Sequence, residues 1–453
     1  MEGRREHFGS RMAVVMALAG SAVGLGNIWR FPYMVGEYGG AIFLICYLFF
    51  TFIISLPVFY AESIIGKNGG KGPYGSFKSQ APGTWWKWVG VICVIGSFII
   101  ISYYSVVGGW SIDYLVRSCF LGFENMSMEA ATSLFGKVST SVWEPIIAHT
   151  VFLGAAWIIV RLGVKNGIEK FTKIIMPVLF FLMILIMIYA LTLNGASEGV
   201  RYLLKPDPSK FSVKTLSFAL GQSFFSLSLG VGCVLTYSSY MRKEDSLAKS
   251  GILTSVFDLS FALIAAFAVM PAVFAAGLEP GAGPSLVFES LPYIFVVMGE
   301  TTPVISRIVT VFFFLAIFFA ALTSLISMFE VCVAHLVEEK NMRRSVASMI
   351  VFLSTWILGI LCSLSFGKLG GIKLLGQNIF GFCDMLTSNY VMTLGALAFV
   401  IFVGWKMKKE NVRARFLEGG GKISGWTFPT VYFIIRYVAP VMILAIFITN
   451  LIG

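Results

Sequence analysis

The chain has 453 residues, 57% of them hydrophobic and 13% charged, with a formal net charge of +11. That apolar content excludes an ordinary water-soluble fold. The surplus of Lys and Arg sits in short segments between apolar runs, which marks membrane topology rather than a nucleic-acid footprint.

A bilayer core takes about 20 apolar residues to cross. Eleven candidate spans follow: 11–36, 41–66, 88–116, 145–161, 168–194, 213–240, 247–276, 304–337, 344–366, 376–405 and 427–451. They predict one all-α integral membrane domain over 1–453, with no soluble domain attached. The first apolar stretch runs into WRFPY without a small-residue cleavage pattern, so it does not read as a removed signal peptide. Within it, residues 12–29 are uncharged yet glycine interrupts at Gly20, Gly24 and Gly26. Glycine weakens a helix, and lipid offers no partner for an exposed backbone amide. The span is therefore expected to open mid-membrane and offer its peptide groups to a ligand. The sixth span carries a matching interruption in SLSLGVG, at Gly230 and Gly232.

Two broken spans at comparable places point to a transport site at the bilayer midplane. If spans one to five (11–194) and six to ten (213–405) are repeats, an odd count requires that they insert with opposite orientation. Span eleven, 427–451, is then peripheral. Arg4, Arg5 and Arg11, then Lys67–Lys87, Arg161–Lys173, Arg242–Lys249, Arg343–Arg344 and Lys406–Lys422 fall on one side. This predicts a cytoplasmic amino terminus and an external carboxyl terminus, with the loop at 197–214 as a partial exception. The two longer loops, 117–144 and 277–303, fall outside, and the latter is expected to form a lid of two short apolar pieces over an outer vestibule. Cys46, Cys93, Cys119, Cys233, Cys332, Cys362 and Cys383 show no ligand spacing, so neither a disulfide framework nor a metal centre is expected.

The runs REHFGSRMAVVMALAGSAVGLGNIWRFPY, EYGGAIF, LPVFYAESIIGK, GQSFFSLSLGVG, TYSSY and FAALTSLISMFE resemble the sodium-coupled neurotransmitter symporter family. The likeness covers nearly the whole chain and is greatest to bacterial amino-acid members. It implies the leucine-transporter fold: eleven transmembrane helices in a 5+5 inverted repeat, helices 1 and 6 discontinuous, one additional helix. That fold is the general example of broken helices in inverted repeats, so the resemblance and the architecture are one inference. The resemblance also implies sodium-driven import of a small-molecule amino acid by alternating access, in the bacterial cytoplasmic membrane.

An amino acid brings a carboxylate and an ammonium, both costly to dehydrate without partners. By the resemblance, amides of Leu25 and Gly26 and the hydroxyl of Tyr104 take the carboxylate, helped by the positive end of a half-helix. Carbonyls of Ala22, Phe225 and Ser226 and the Ser228 hydroxyl take the ammonium. Gly24 stands where monoamine carriers have aspartate, so the substrate must bring its own negative group. Ile100, Tyr104, Phe225, Val231, Ser324 and Met328 would line an apolar side-chain pocket without an ionic partner. That favours neutral hydrophobic substrates; Val231, smaller than the aromatic of a bacterial relative, and the adaptable Met328 point toward larger aliphatic or aromatic ones.

The family carries two transported sodium ions, Na+ being a hard cation that favours oxygen ligands. The first maps to the Ala22 carbonyl, Asn27, Ser226, Asp258 and the substrate carboxylate. The second maps to carbonyls of Gly20, Val23 and Ala320 and hydroxyls of Thr323 and Ser324. Asp258 replaces a neutral residue of the chloride-dependent eukaryotic members. Tyr47, Gln222 and Ser226 match chloride-site positions, but Ala262 does not. A resident carboxylate predicts transport independent of chloride. Glu62 resembles a residue that bonds the backbone of a broken helix.

Arg30 and Asp384 are the expected outer gate above Tyr104 and Phe225. Arg5 and Glu338, covered by Phe8 and Tyr240, form the inner one. Gly167 and Pro177 bracket a stretch of span five that is easy to unwind, a release hinge for the second sodium. The sequence assigns no role to Asp113, Glu330 or Arg436. An enzyme is disfavoured, since His7, His149 and His335 form no catalytic pattern and Gly24-Leu25-Gly26 is no dinucleotide fingerprint. A passive channel or a non-transporting membrane receptor are the alternatives.

Overall fold

The computed structural model describes residues 6–120, 123, 126–280, 288–299, 302–420 and 425–452. Helix α1, Arg11–Ala22, starts at Ser10, whose hydroxyl accepts a hydrogen bond from the Ala13 amide at 3.2 Å, satisfying one orphan donor of the first turn. It ends where Val23 turns extended, and α2, Gly26–Glu37, resumes at 53° to it. The break is therefore Val23–Leu25. Gly20, expected to take part in it, is helical instead: Thr172, Met176 and Thr323 lie within 3.5 Å of where its Cβ would stand, so this glycine serves close packing.

Long helices follow: α3 (Ala41–Gly69), the short α4 (Pro73–Gln80), α5 (Lys87–Phe120), the short α6 (Met128–Thr140), α7 (Trp143–Arg161) and α8 (Val164–Leu191). After a short α9 (Ala196–Leu204), α10 (Val213–Ser226) stops and α11 (Cys233–Ser238) begins after six intervening residues. The intervening segment turns through left-handed positions at Ser228 (φ 52°), Gly230 (φ 91°) and Gly232 (φ 84°). Then come α12 (Leu247–Ala275), α13 (Ser290–Gly299), α14 (Pro303–Lys340), α15 (Arg344–Leu364), α16 (Ile379–Lys406), the short α17 (Lys409–Leu417) and α18 (Thr427–Thr449).

Among the described residues nine helices are long and apolar enough to cross a membrane, or ten if the bent pair α1–α2 is one span. The eleven expected are not all met as single helices, because the sixth, 213–240, is split into two pieces too short to qualify. Ile45, Phe49, Ile53, Val151 and Ile188 are exposed on the long helices, and Trp85, Trp143, Trp405 and Trp426 at their ends, an apolar belt with aromatic rims.

What holds the broken helix in place is backbone contact. A Cβ on Gly66 of α3 would overlap the Leu235 carbonyl of α11, and one on Gly230 would overlap the Met392 carbonyl of α16. Glu62, fully buried on α3, accepts from the amides of Gly230 (3.1 Å) and Leu235 (3.3 Å). A carboxylate is well suited to receiving donors that the interrupted helix leaves unpaired. The resemblance implied this backbone role.

The three unassigned residues find partners. Asp113 pairs with Arg117 at 2.7 Å, and Arg117 with Glu144. Glu330, fully buried on α14, pairs with Arg344 of α15 and accepts from the Tyr240 hydroxyl at 2.6 Å, while Arg344 Nε donates to the Val160 carbonyl at 2.8 Å. One buried carboxylate so ties together α7, α14, α15 and the end of α11. The Arg436 guanidinium lies over Trp405 (4.7 Å) and Tyr437 (5.4 Å), a cation–π arrangement.

At the end of the bundle bearing the first residues, Lys67 is nearly buried. It donates to the Asp245 carbonyl (2.7 Å) and pairs with Glu418 (3.2 Å). Arg415 of α17 reaches Glu418 (3.0 Å) and Asn68 (2.8 Å). These contacts clamp α17 onto α3 and onto the loop after α11.

Candidate functional site

The two interruptions face each other around a cavity of about 50 Å³, lined by Gly24, Tyr104, Phe225, Val231, Ser324 and Met328, among others. Asp, Glu, Lys, Arg and His do not occur in its lining. The Leu25 amide donates to the Tyr104 hydroxyl at 3.3 Å, and the Ser228 hydroxyl to the Ser21 carbonyl at 2.9 Å. Peptide groups and hydroxyls thus cluster at one end, while Ile100, Val231 and Met328 form an apolar remainder. Such a site suits a small molecule with a polar head and an apolar side chain. A Cβ on Gly24 would overlap the Ser324 hydroxyl, and one on Gly26 would stand 2.9 Å from the Phe225 ring. Both glycines are required by close approach.

Behind the cavity lies a fully buried polar knot. Asn27 Nδ2 donates to Asp258 Oδ1 at 2.7 Å and to Ser226 at 3.1 Å; the Ser226 hydroxyl lies 2.8 Å from each Asp258 oxygen. Tyr47 approaches Ser226 at 3.2 Å and Asp258 at 3.4 Å, and Gln222 donates to the Gly26 carbonyl at 3.3 Å. They come from four helices, α2, α3, α10 and α12, so their meeting is a tertiary event. A buried carboxylate surrounded by neutral oxygens offers hard, anionic ligation of the kind an alkali cation takes; an intramembrane acid is a functional candidate by default.

A second group of oxygens lies where α1 ends beside α14. Thr323 reaches the Val23 carbonyl at 3.3 Å as well as its own helix at Phe319 and Ala320. Ser324 lies 3.2 Å from the Ser21 carbonyl and 3.5 Å from that of Val23. A Cβ on Gly20 would stand 3.5 Å from Thr323 Cβ, so Gly20 lies beside it. The freed carbonyls of the broken α1 and the hydroxyls of α14 are thereby brought together. Among the described residues no cluster of three His, Cys, Asp or Glu could hold a metal ion; the first group is one carboxylate among hydroxyl and amide groups, and the second is hydroxyl and carbonyl in character.

Above the cavity, Arg30 does not pair with Asp384 within 4 Å. Its guanidinium lies 4.6 Å above the Phe225 ring, and Asp384 instead accepts from Ser388 at 3.0 Å. Beyond this lid an outer chamber of about 490 Å³ opens between α10, α16 and α18. The lid expected in 277–303 is described only in part. Helix α13 is present, and Phe288 packs edge-on to Trp29 (6.2 Å) and Trp110 (5.8 Å); the first apolar piece, 281–287, lies outside the described residues. At the opposite end Phe8 meets Tyr240 at 6.2 Å, and its amide donates to the Tyr240 carbonyl at 3.3 Å. Arg5 is outside the described residues, so its pairing with Glu338 is too; Glu338 accepts from the Gly72 amide at 2.7 Å. Gly167 and Pro177 bracket a stretch that is wound here, wide-turned to Glu169 and α-helical beyond. The Glu6 carboxylate accepts from the Val164 and Lys165 amides, and Glu169 from that of Gly9 at 2.8 Å, so the first residues strap the start of α8.

Two lining residues, Tyr103 and Met392, were not expected from the sequence. For Met392, i+4 counting from Asp384 gives no signal, because the π turn at Leu386–Val391 shifts the helical phase between them.

Residues 5–126 and 127–453 match the Sodium:neurotransmitter symporter family. Over 452 residues the chain is 35% identical to an uncharacterized sodium-dependent transporter, YhdH, of Bacillus subtilis (strain 168), covering 100% of this chain and 99% of the relative. An uncharacterized sodium-dependent transporter of Haemophilus influenzae is 34% identical over 461 residues, covering 99% and 98%. Among solved structures, MhsT in complex with L-phenylalanine superposes with a TM-score of 0.89 at 38% identity, covering 99% of this chain and 100% of that one.

Proposed function

The chain belongs to the sodium:neurotransmitter symporter family, whose members are membrane transporters rather than enzymes, and from that premise we propose that it imports a neutral hydrophobic amino acid together with sodium. The observation that carries this is the cavity between two broken helices: peptide groups and a tyrosine hydroxyl at one end, an apolar wall at the other, no ionisable acid or base between. A zwitterion supplies its own counter-charges to such a place, and a charged side chain would be left unpaired there. That MhsT, a structural neighbour, holds L-phenylalanine supports a substrate with a large apolar side chain.

In this reading the substrate carboxylate meets the Leu25 and Gly26 amides and Tyr104, and its ammonium meets the carbonyls of Ala22, Phe225 and Ser226 with the Ser228 hydroxyl. One sodium lies among Ala22, Asn27, Ser226 and Asp258, touching the carboxylate, so each ligand completes the other's site. A second lies among Gly20, Val23, Ala320, Thr323 and Ser324. The two halves of the split sixth span count as one, giving eleven spans in a 5+5 inverted repeat plus α18, with the amino terminus in the cytoplasm of a bacterial cell. Arg30 with Asp384, and Arg5 with Glu338 beneath Phe8 and Tyr240, close the two routes in turn. Unwinding between Gly167 and Pro177 releases the second sodium.

Uptake into proteoliposomes tests it. A sodium gradient is expected to drive accumulation of leucine or phenylalanine, and their decarboxylated amines are expected to be refused, because Gly24 offers no carboxylate. Replacing chloride by gluconate is expected to leave the rate unchanged, since Asp258 already supplies the anionic charge. Accumulation without sodium, preference for the amine, or a strict need for chloride refutes the corresponding part.

A further inference from the structure

The central cavity, at about 50 Å³, has room for roughly four water-sized groups, too few for a phenyl or indole side chain beside a zwitterion. A wall must therefore yield, and only some can. Phe225 is held between Arg30, 4.6 Å from its ring centre, and the backbone at Gly26. The floor at Val231 lies against Gly96, which is itself packed on Val391. Phe225 and Met392 are the two residues that line both the central cavity and the 490 Å³ outer chamber, so these side chains are what separates the two spaces. Met392 is half-buried, and its unbranched thioether turns about several bonds.

The backbone delivers it there. Residues Leu386–Val391 form a wide π turn immediately before Met392, an insertion that rotates the following residues and is frequent at functional sites. Just below, Gly395 allows α16 to touch the unwound segment at Gly230. With α16 pressed so close, Met392 lines the substrate space together with Val231.

We propose that Met392 is a specificity-determining residue: its side chain is the movable partition between the central cavity and the outer chamber, and how far it swings sets the largest substrate side chain admitted. The inference rests on the reading of the chain as an amino-acid symporter. The test is competition by alanine, valine, leucine, phenylalanine and tryptophan against sodium-driven uptake, in wild type, M392A, M392F and M392L.

One methylene in an apolar pocket is worth about tenfold or more in discrimination. M392A joins the two spaces and is expected to move the tryptophan-to-valine preference at least about tenfold toward tryptophan. M392F is expected to move it as far the other way, and M392L, close in volume, to stay near wild type. Should a variant lose uptake, the rise in Tm produced by each amino acid supplies the same ratio from binding alone. Wild-type uptake with an unchanged ratio in M392A and M392F overturns the proposal by itself. A wild-type protein that accumulates no amino acid under a sodium gradient removes the symporter reading and this proposal together.

Discussion

Gly24→Ala is the smallest change that addresses the site directly. The added methyl would overlap the Ser324 hydroxyl and stand 3.2 Å from Ser324 Cβ and 3.3 Å from the Tyr104 hydroxyl. Ser324 has to rotate away, giving up its contact with the Ser21 carbonyl at 3.2 Å, worth about 1 kcal/mol. The residual crowding adds about 1–3 kcal/mol. If that falls on the loaded state, the concentration of amino acid for half-maximal uptake rises roughly thirty- to several-hundred-fold, at about 1.4 kcal/mol per decade. Ser324 also stands in the second group of oxygens, so half-saturating sodium is expected to rise with it. Gly154→Ala is the control: nothing lies within 4 Å of its added methyl, and both constants stay at wild type. Titration of amino acid and sodium in proteoliposomes reads both. Wild-type constants in the Gly24→Ala protein would refute the claim that this glycine is set by the approach of Ser324 and Tyr104.

Removing Glu330 leaves Arg344 without its partner, so Glu330→Ala is expected to lower stability by about 3–5 kcal/mol, seen as a lower Tm in detergent. A Glu330→Met, Arg344→Met pair is expected to recover most of it. The Glu418 carboxyl is pushed up by burial, but Arg415 and Lys67 outweigh this and hold it below the usual carboxylate range. Its contribution is present above the unfolded value of about 4.3 and is lost as pH falls through the lower folded value. The protection of the amides in 409–417, taken as the exchange rate relative to intrinsic exchange at each pH, is therefore expected to be flat from neutrality down to about pH 5 and to fall only below about pH 4.3, whereas in Glu418→Gln it is low throughout. Pro177→Ala restores a helical donor and is expected to slow sodium release, lowering turnover severalfold with binding intact. Gly167→Ala is a poorer probe, since its methyl would overlap the Ile159 carbonyl; equal turnover in Pro177→Ala and wild type would refute the hinge.

The long helices were readable in the sequence because lipid leaves so few alternatives to an uninterrupted apolar run. The apolar run predicts a span over 247–276, and the helix is Leu247–Ala275. The breaks were readable as glycine pairs, though only approximately. Gly20 was misread because a glycine demanded by packing and one demanded by unwinding look alike in a single sequence. Ser228, at φ 52°, carried no signal, since serine seldom takes that conformation. The knot of Asn27, Ser226 and Asp258 came from the family resemblance, because their meeting depends on how α2, α10 and α12 pack. Glu330 stayed opaque for the same reason: its partner is fourteen positions away, across a helix turn-around, and no periodicity announces it. Met392 was hidden by a wide turn, which shifts the helical phase that simple counting assumes.

The seams at Gly66–Leu235 and Gly230–Met392, where one main chain lies directly on another, bear on how such a sequence drifts over generations. A residue with any side chain wedges the two chains apart, and no neighbouring replacement can retract a peptide group to make room. In a saturation library these few sites would stand out as columns of near-total loss, while Ile45, Phe49 and Ile53, which look outward, would accept most apolar letters. The positions that leave lineages no latitude are thus the ones contributing no atoms beyond Cα.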